Sequence, residues 1–287
     1  MYSVPLFRPP SEAESLIIQI TEGCSHNKCT FCAMYKKKQF RLKSDDEIIE
    51  HIKWLKKYYT KPERIFLADG NVLCLKTDKI ISLLKLIKHE FPTVKRISSY
   101  SGPLDLIRKS HDELKLINHE GLELLYMGVE SGSDKVLNLI KKGVNQQQMI
   151  EAGQKAVESG FKFSCMIISG LGGTELIEEH AVDSAIVVSA INPHYLSMLR
   201  LVVEEETELA ENIRIGKFHL LTPRQVLEEN IIMLENMQLE DCIFRANHIS
   251  NYVKLAGTLN KDKLALIKYL KTLRDNGNFI PMGFDRI

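Results

Sequence analysis

Short apolar runs rich in β-branched residues alternate with amphipathic stretches from Leu16 to about Val203. Near-continuous apolar runs such as LIIQI are typical of strands covered on both faces of a sheet. They predict six strands: Leu16–Thr21, Arg64–Ala68, Val94–Ser99, Glu123–Val129, Lys162–Ile168 and His194–Val202.

The stretches between these strands carry helix signals. Ser44-Asp45-Asp46-Glu47 has the pattern of a capping box and opens a helix that reaches about Tyr59. Further helices are predicted at Thr77–His89, Ser110–Asn118, Ser133–Lys142, Gln146–Ser159 and Thr174–Ile191. Six repeats of strand and helix predict parallel strands in an α/β fold, a partial (β/α)6 TIM-like barrel. Ligands of such folds collect at the carboxyl ends of the strands.

The pattern changes after residue 205. A helix is expected to begin at Thr222-Pro223, followed by a strand at Cys242–Ala246 and a last helix from Asp262 to about Arg274. We therefore expect residues 1–205 to form the barrel and residues 206–287 a C-terminal α+β extension packed on it.

The near-neutral charge of the chain bears on whether it binds nucleic acid or membranes. Thirty-eight basic and 37 acidic residues give a net charge of +1, so no strong signal for nucleic acid or an anionic membrane is present. No apolar run has the ~20 residues of a membrane span, and the N-terminus does not resemble a signal peptide. The expected location is cytoplasmic.

Three of the six cysteines, Cys24, Cys29 and Cys32, lie within nine positions just after the first predicted strand. A structural zinc site needs four ligands, and His26 inside this loop is poorly placed to be the fourth. Three clustered thiolates instead suit a 4Fe-4S cluster with one open iron. Cys74, Cys165 and Cys242 are scattered along the chain, and we expect each to be a small buried apolar residue and not a ligand.

At this point the sequence resembles the radical S-adenosylmethionine (radical SAM) superfamily, whose mark is CxxxCxxC after the first strand. Phe31 matches the aromatic residue before the last cysteine, although the first gap here has four residues. The resemblance implies a 4Fe-4S cluster and S-adenosylmethionine (SAM) as cofactors. It also implies reductive cleavage of SAM and removal of hydrogen from a substrate by the 5'-deoxyadenosyl radical.

The resemblance extends to the ends of the second and fourth strands. LADGN corresponds to the turn that receives the methionine part of SAM, which implies contacts from Asp69, Gly70 and Asn71. MGVESGS is similar to a segment of the tRNA methylthiotransferase and elongator-type branch, which implies that Glu130 and Ser131 contact SAM. The same serines also fit a simple helix cap.

The fifth and sixth strands complete the match. SGLGG resembles the stretch that packs on adenine, which implicates Ser169 and Gly170, although a Gly-rich loop alone could equally indicate a dinucleotide site. The resemblance makes Arg200 a partner for the SAM carboxylate. A lone arginine at a strand end is, however, often an ion-pair or surface residue.

The favoured function is that of a radical SAM enzyme, an oxidoreductase or transferase, acting on a small-molecule substrate. The second cysteine triad expected of methylthiotransferases is missing, and Met34 stands where coproporphyrinogen oxidases of the superfamily carry a fourth cysteine. The alternative is a noncatalytic binding protein resembling radical-SAM-like heme chaperones, in which His248 or another histidine binds the cargo.

The polar segment 245–252 of the extension allows two interpretations. It is either a loop whose Asn and Ser side chains bond to nearby backbone, or it closes the open mouth of the barrel. In the second case Asn247 and Asn251 face the substrate and His248 serves as acid or base.

The run Lys36-Lys37-Lys38 also has two interpretations. It is either a solvated basic loop or a contact for an anionic substrate or an acidic electron donor such as flavodoxin or ferredoxin.

Overall fold

The computed structural model of the protein describes residues 2–277, so residues 278–287 of the predicted extension lie outside it. Its strands are β1 Leu16–Gln19, β2 Thr21–Glu22, β3 Arg41–Leu42, β4 Arg64–Ala68, β5 Arg96–Tyr100, β6 Leu122–Glu130, β7 Lys162–Ser169, β8 Tyr195–Arg200, β9 Cys242–Ala246 and β10 Leu255–Leu259. Its α-helices are α1 Asp45–Lys56, α2 Thr77–Glu90, α3 Pro103–Arg108, α4 His111–His119, α5 Asp134–Leu139, α6 Gln146–Glu158, α7 Ile177–Ile191, α8 Glu208–Arg214, α9 Pro223–Asn236 and α10 Lys263–Asn276.

All six predicted strands are present, as β1, β4, β5, β6, β7 and β8. The short pair β2 and β3, strand β10 and helices α3 and α8 were not predicted. Strands of two residues are too short to show a hydrophobic period, which explains why β2 and β3 escaped the pattern.

Local cap signals located most of the helices. Ser44 caps α1 in the expected capping box, and Ser110 and Thr222 do the same for α4 and α9. Three predicted helix boundaries are wrong. The first helix, expected to reach about Tyr59, ends at Lys56. The helix expected at Ser133–Lys142 ends at Leu139, since Lys141 has a left-handed φ of 54°. The helix expected from Thr174 begins at Ile177, because the Thr174 amide bonds instead to the His219 carbonyl.

The chain divides into two compact units. The first contains the N-terminal residues up to Asn27, together with Cys32–Met127 and Lys155–Phe163. In it β1, β4, β5 and β6 pair in parallel in that order. Helix α1 packs against β1 and helix α2 against α4. The buried core of this unit includes Ile18, Phe66 and Ile97.

The second unit contains Lys28–Phe31, Gly128–Gln154 and the chain from Ser164 onward. Strands β7, β8 and β9 are parallel neighbours, and β10 pairs antiparallel with β9. Helix α9 packs against both α7 and α10. The extension therefore adds two strands to the sheet of this unit, and the domain boundary at residue 205 stays a prediction.

Among residues 2–277, none of the helices is long and apolar enough to cross a membrane.

Candidate functional site

The predicted cluster ligands lie in a loop whose two ends meet. Strand β2 comes directly before the loop and pairs antiparallel with β3 directly after it. Cys24, Cys29 and Cys32 are half-buried and form no disulfide. Half-buried thiols in one closed loop are accessible to a cluster and partly protected from water.

The middle of this loop is held by backbone contacts within the second unit. The Thr30 amide donates to the Ile140 carbonyl at 2.9 Å, and the Thr30 carbonyl accepts from the Leu209 amide at 3.0 Å. Thr30 is buried, so the residue next to Cys29 has a fixed backbone.

Within residues 2–277, His, Cys, Asp and Glu side chains form no group of three or more placed to hold a metal ion, so the structure does not by itself bring the three loop thiols together as a ligand set. The thiols fit a 4Fe-4S cluster by the chemistry of their donor set, because such a cluster brings its own sulfides and can leave one iron to another ligand. A buried tyrosine accompanies them. The pKa of Tyr35 is raised, first by burial and then by Asp69, Tyr100, Cys24 and Cys32.

Asp69 follows β4 and is completely buried. Its Oδ2 accepts hydrogen bonds from the Gly23 amide at 2.8 Å and from Gln19 Nε2 at 3.1 Å. The same oxygen forms a 2.9 Å ion pair with Lys38 Nζ. Oδ1 has no partner within residues 2–277. The SAM contact expected of Asp69 stays a prediction, and Oδ1 is the atom that could make it.

Gly70 and Asn71 complete this turn. The Gly70 amide donates to the Gly23 carbonyl at 3.2 Å, and a Cβ on Gly70 would lie only 3.1 Å from the Cys24 Cα. Glycine therefore allows the turn to approach the cysteine loop closely. Asn71 is a cap: its Oδ1 accepts from the Leu73 amide at 3.0 Å and its Nδ2 donates to Asp105.

Glu130 ends β6 in the second unit. It is buried and has a left-handed φ of 64°, which turns its carboxylate back over Gly128. Oε1 contacts Lys142 Nζ at 3.1 Å, while Oε2 is buried without a partner among the described residues. A buried carboxylate oxygen without a donor is a costly arrangement that a bound ligand would satisfy.

Ser131 is buried beside His180 of α7. The ring Nε2 lies 3.1 Å from the Ile168 carbonyl, which can only accept, so Nε2 carries the proton. Nδ1 is therefore an acceptor and the Ser131 hydroxyl donates to it at 2.8 Å. Ser131 Oγ also accepts from the Ser133 amide, while Ser133 caps α5. The helix-cap interpretation thus holds for Ser133, and the SAM contact of Ser131 stays a prediction.

Ser169 and Gly170 end β7 and are supported by α9. Ser169 Oγ donates to Asn230 Oδ1 at 2.6 Å, and the Gly170 amide donates to Glu229 Oε2 at 2.7 Å. Gly170 has a φ of 89°, a conformation that favours glycine. Helix α9 of the predicted extension therefore orients the turn that the resemblance assigns to adenine.

Glu229 and His180 form a buried pair with 4.0 Å between Oε1 and Nε2. Burial raises the pKa of Glu229 to about 8 and lowers that of His180 to about 4. Both groups are thus neutral near pH 7, so the contact joins two neutral side chains and is not an ion pair.

Arg200 ends β8 and is enclosed by the segment of the extension around residue 251. Its Nε donates to the Ser250 carbonyl at 2.6 Å, and its guanidinium lies 4.4 Å from the centre of the Tyr252 ring. Asn251 Oδ1 accepts from the Arg200 amide at 2.6 Å, and Asn251 Nδ2 donates to the Met198 carbonyl at 2.8 Å. The Asn251 side chain thus bonds the β8 backbone as a neighbouring strand would.

His248 and Asn247 differ in exposure. Asn247 is exposed and His248 is half-buried. His248 Nδ1 accepts from the Ser250 amide at 3.2 Å and contacts Ser250 Oγ at 2.8 Å. The segment does reach the carboxyl end of β8, as its second interpretation requires. The substrate contacts of Asn247, His248 and Asn251 and the acid or base role of His248 stay predictions, as does the SAM contact of Arg200.

Sequence reasoning missed three residues of this region, Gln19, Lys142 and Glu229, and it named Lys38 only as part of a basic run. Only Gln19 left a signal, because it is a polar residue inside the apolar run LIIQI. The expectation that Lys38 belongs to a solvated basic loop is wrong, since only 10% of its side chain is exposed.

Comparisons with known proteins bear on the whole arrangement. The sequence profile of the Radical SAM superfamily matches residues 18–185, which is more than half of the chain. The heme chaperone HemW of Bacillus subtilis (strain 168) is 26% identical over 202 residues, 70% of this chain and 52% of that protein. A tRNA-2-methylthio-N(6)-dimethylallyladenosine synthase of Neisseria meningitidis serogroup C (strain 053442) is 25% identical over 269 residues, 81% of this chain and 59% of that protein.

Solved structures share the fold. Methylornithine synthase (PylB) aligns with a TM-score of 0.53 and 16% identity over 89% of this chain and 68% of its own. Coproporphyrinogen III oxidase (HemN) from Escherichia coli aligns with a TM-score of 0.56 and 20% identity over 77% of this chain and 52% of its own.

These matches confirm several predictions: the family, the α/β fold class related to TIM barrels and, as properties of the family, the radical SAM enzyme class and the 4Fe-4S cluster and SAM as cofactors. The chain spans just over half the length of these two curated relatives.

Proposed function

The chain belongs to the radical SAM superfamily, and from this we propose that it is an enzyme that cleaves SAM reductively and removes hydrogen from a small-molecule substrate. The observation that carries the proposal is the loop between β2 and β3, in which Cys24, Cys29 and Cys32 are half-buried and unbridged. We assign these thiolates to three irons of a 4Fe-4S cluster.

When bound, the cluster and SAM together supply a radical able to abstract hydrogen. The chain's own residues bind, orient and exclude water. Glu130 is the best supported SAM contact, because its unpartnered Oε2 is buried and suits a hydroxyl or ammonium donor. Gly170 offers a turn without a Cβ, which suits close approach to a flat ring.

The charge of the chain bears on the class of substrate. A net charge of +1 gives no general attraction to nucleic acid, which favours a small molecule. The 25% identity to a tRNA-modifying synthase makes tRNA the substrate to test against it. We also propose that an acidic electron donor such as flavodoxin or ferredoxin docks near Lys36 and Lys37, which are exposed.

A second candidate function is favoured by the 26% identity to a heme chaperone. In that case the protein binds heme without turning over SAM. His248 is the candidate ligand. To bind iron through Nε2 it must carry its proton on Nδ1, which would then donate to Ser250 Oγ at 2.8 Å and give up the bond from the Ser250 amide.

The deciding experiment is anaerobic reconstitution with iron and sulfide, followed by SAM and dithionite, with 5'-deoxyadenosine as the measured product. An enzyme should form it in the wild type and not in a variant with all three loop cysteines changed to Ala. A cluster-loaded wild type that forms none, but shows a Soret band with heme that His248→Ala loses, supports the chaperone function instead. Candidate metabolites and tRNA are then compared for their effect on product formation.

A further inference from the structure

We propose that Lys38 and Asp69 form a latch that fastens the two ends of the cysteine loop, so that Asp69 is a positioning residue for the cluster ligands. The inference rests on the proposed function, since it concerns how the chain presents the thiols. It assigns to Asp69 Oδ2 a role distinct from the SAM contact that the family resemblance implies for this residue.

The first part of the latch is the convergence of donors on one oxygen. Asp69 Oδ2 accepts from the Gly23 amide at 2.8 Å, immediately before Cys24. It also accepts from Lys38 Nζ at 2.9 Å, six positions after Cys32. A single carboxylate after β4 therefore joins the entry of the loop to its exit.

The second part is the saturation of Lys38. Besides Asp69, its Nζ donates to the Ser3 carbonyl at 2.6 Å and to the Pro5 carbonyl at 2.8 Å. An ammonium group has three hydrogens, and these three acceptors use them all. Lys38 therefore has no donor left for an anionic substrate or an acidic partner.

Gln19 provides a third connection. Its Oε1 accepts from the Ser3 amide at 2.8 Å, and its Nε2 lies 3.1 Å from both the Ser3 carbonyl and Asp69 Oδ2. The N-terminal strap of residues 3–5 is thus bound to the same carboxylate through Gln19 and through Lys38. Strap, strand β1, loop and turn form one hydrogen-bonded assembly inside the first unit.

Burial makes the Lys38–Asp69 ion pair costly to break. The Asp69 side chain is fully buried and that of Lys38 is 10% exposed. Removing either partner leaves the other charge uncompensated in a poorly solvated place, which costs more than the pair itself contributes. The segments that contain Gly23 and Lys38 are then expected to separate, while the β2–β3 pair still closes the base of the loop.

The test uses apo protein, in which loop motion is measured by amide hydrogen exchange of residues 23–27 and 32–37. Lys38→Met keeps the length of the side chain but removes the ammonium, and Asp69→Asn removes the negative charge. Each variant should speed amide exchange in these segments by about tenfold or more, because losing one charged hydrogen bond makes local opening easier by that factor. Lys61→Met, an exposed lysine outside the assembly, is the matched control and should change nothing.

A double variant tests whether Lys38 and Asp69 act together, as the latch requires and a SAM contact of Asp69 alone does not. The double variant should exchange no faster than the faster single variant, because either change alone opens the latch. Lys38→Arg should exchange as slowly as the wild type, because a guanidinium group still offers several hydrogen-bond donors. Unchanged exchange in both single variants, or strictly additive effects in the double variant, would overturn the proposal.

The same variants are then reconstituted. Lys38→Met should lower iron content or shift the cluster reduction potential even though Lys38 is not a ligand. If the wild type takes up no cluster, the proposed function fails while the exchange result still decides the latch. If Asp69→Asn weakens SAM binding and Lys38→Met affects neither exchange nor cluster, Asp69 acts on SAM and the latch is wrong.

Discussion

Lys142 Nζ lies 3.1 Å from Glu130 Oε1, and the second oxygen of that carboxylate is buried without a partner in residues 2–277. Lys142 thus occupies only one of the two oxygens of this buried carboxyl group. The unpaired oxygen is available to a ligand. Glu130 Oε2 is therefore the atom that we expect to contact SAM.

We expect Glu130→Gln to weaken SAM binding by roughly 10-fold to 150-fold, the equivalent of about 1.5–3 kcal/mol for one charged hydrogen bond. The measurement is calorimetric titration of cluster-loaded protein. Glu123→Gln, an exposed position on the same strand, should bind SAM like the wild type. If SAM affinity survives Glu130→Gln while the cluster is intact, Glu130 does not contact SAM.

Gly128→Ala should reproduce this defect without touching the carboxylate chemistry. A Cβ at this position would collide with Glu130 Oε1 and displace the side chain. SAM affinity should therefore fall while iron content remains normal. Normal affinity in this variant would mean that the folded-back position of Glu130 is not the one used in binding.

The triple variant Cys24→Ala, Cys29→Ala and Cys32→Ala should bind no 4Fe-4S cluster after anaerobic reconstitution, because all three protein ligands are gone. Iron analysis and electron paramagnetic resonance of the reduced protein measure this. Cys242→Ala, which removes a buried core thiol, is the control and should retain the signal. A full signal in the triple variant would exclude the loop as the cluster site.

Glu229 should make the protein less stable as pH rises from about 4.5 to 8. Burial raises its pKa in the folded state to about 8 from 4.5, so the folded protein holds a proton that the unfolded chain releases across this window. Relative to wild type, Glu229→Gln should gain on the order of 1.4 kcal/mol for each pH unit between these limits. Urea unfolding at pH 5, 6.5 and 8 measures the difference, and a constant difference would show that Glu229 is ionised throughout.

Asn251→Ala should destabilise the fold, because it leaves the Met198 carbonyl and the Arg200 amide without their side-chain partner. The expected cost is roughly 1–3 kcal/mol for each buried group left unpaired. Asn247→Ala, at an exposed position four residues earlier, should change stability little. Equal stability of the two variants would remove the structural role of Asn251 and leave its substrate role to be tested by turnover.

The sequence alone was enough for the elements that depend on local signals. The hydrophobic pattern located the six predicted strands, and Ser44, Ser110 and Thr222 cap helices where local patterns placed their starts. The cysteine spacing and the glycine-rich strand ends identified the superfamily that the profile match confirms. Each of these signals lies within a few consecutive residues, so it can be recognised before the chain is folded.

The partners of the site residues could only be decided by the tertiary structure. The donor that pairs with Asp69 comes from Lys38, 31 positions earlier, and the acceptor for the Gly170 amide comes from Glu229, 59 positions later. Neither residue differs in its local pattern from an ordinary surface charge. Burial then changed their chemistry. Removal from water raises the pKa of Glu229, and it makes the Lys38–Asp69 ion pair costly to break. Composition and spacing carry no information about which distant side chains will share one buried place, and that sharing decides what each group does.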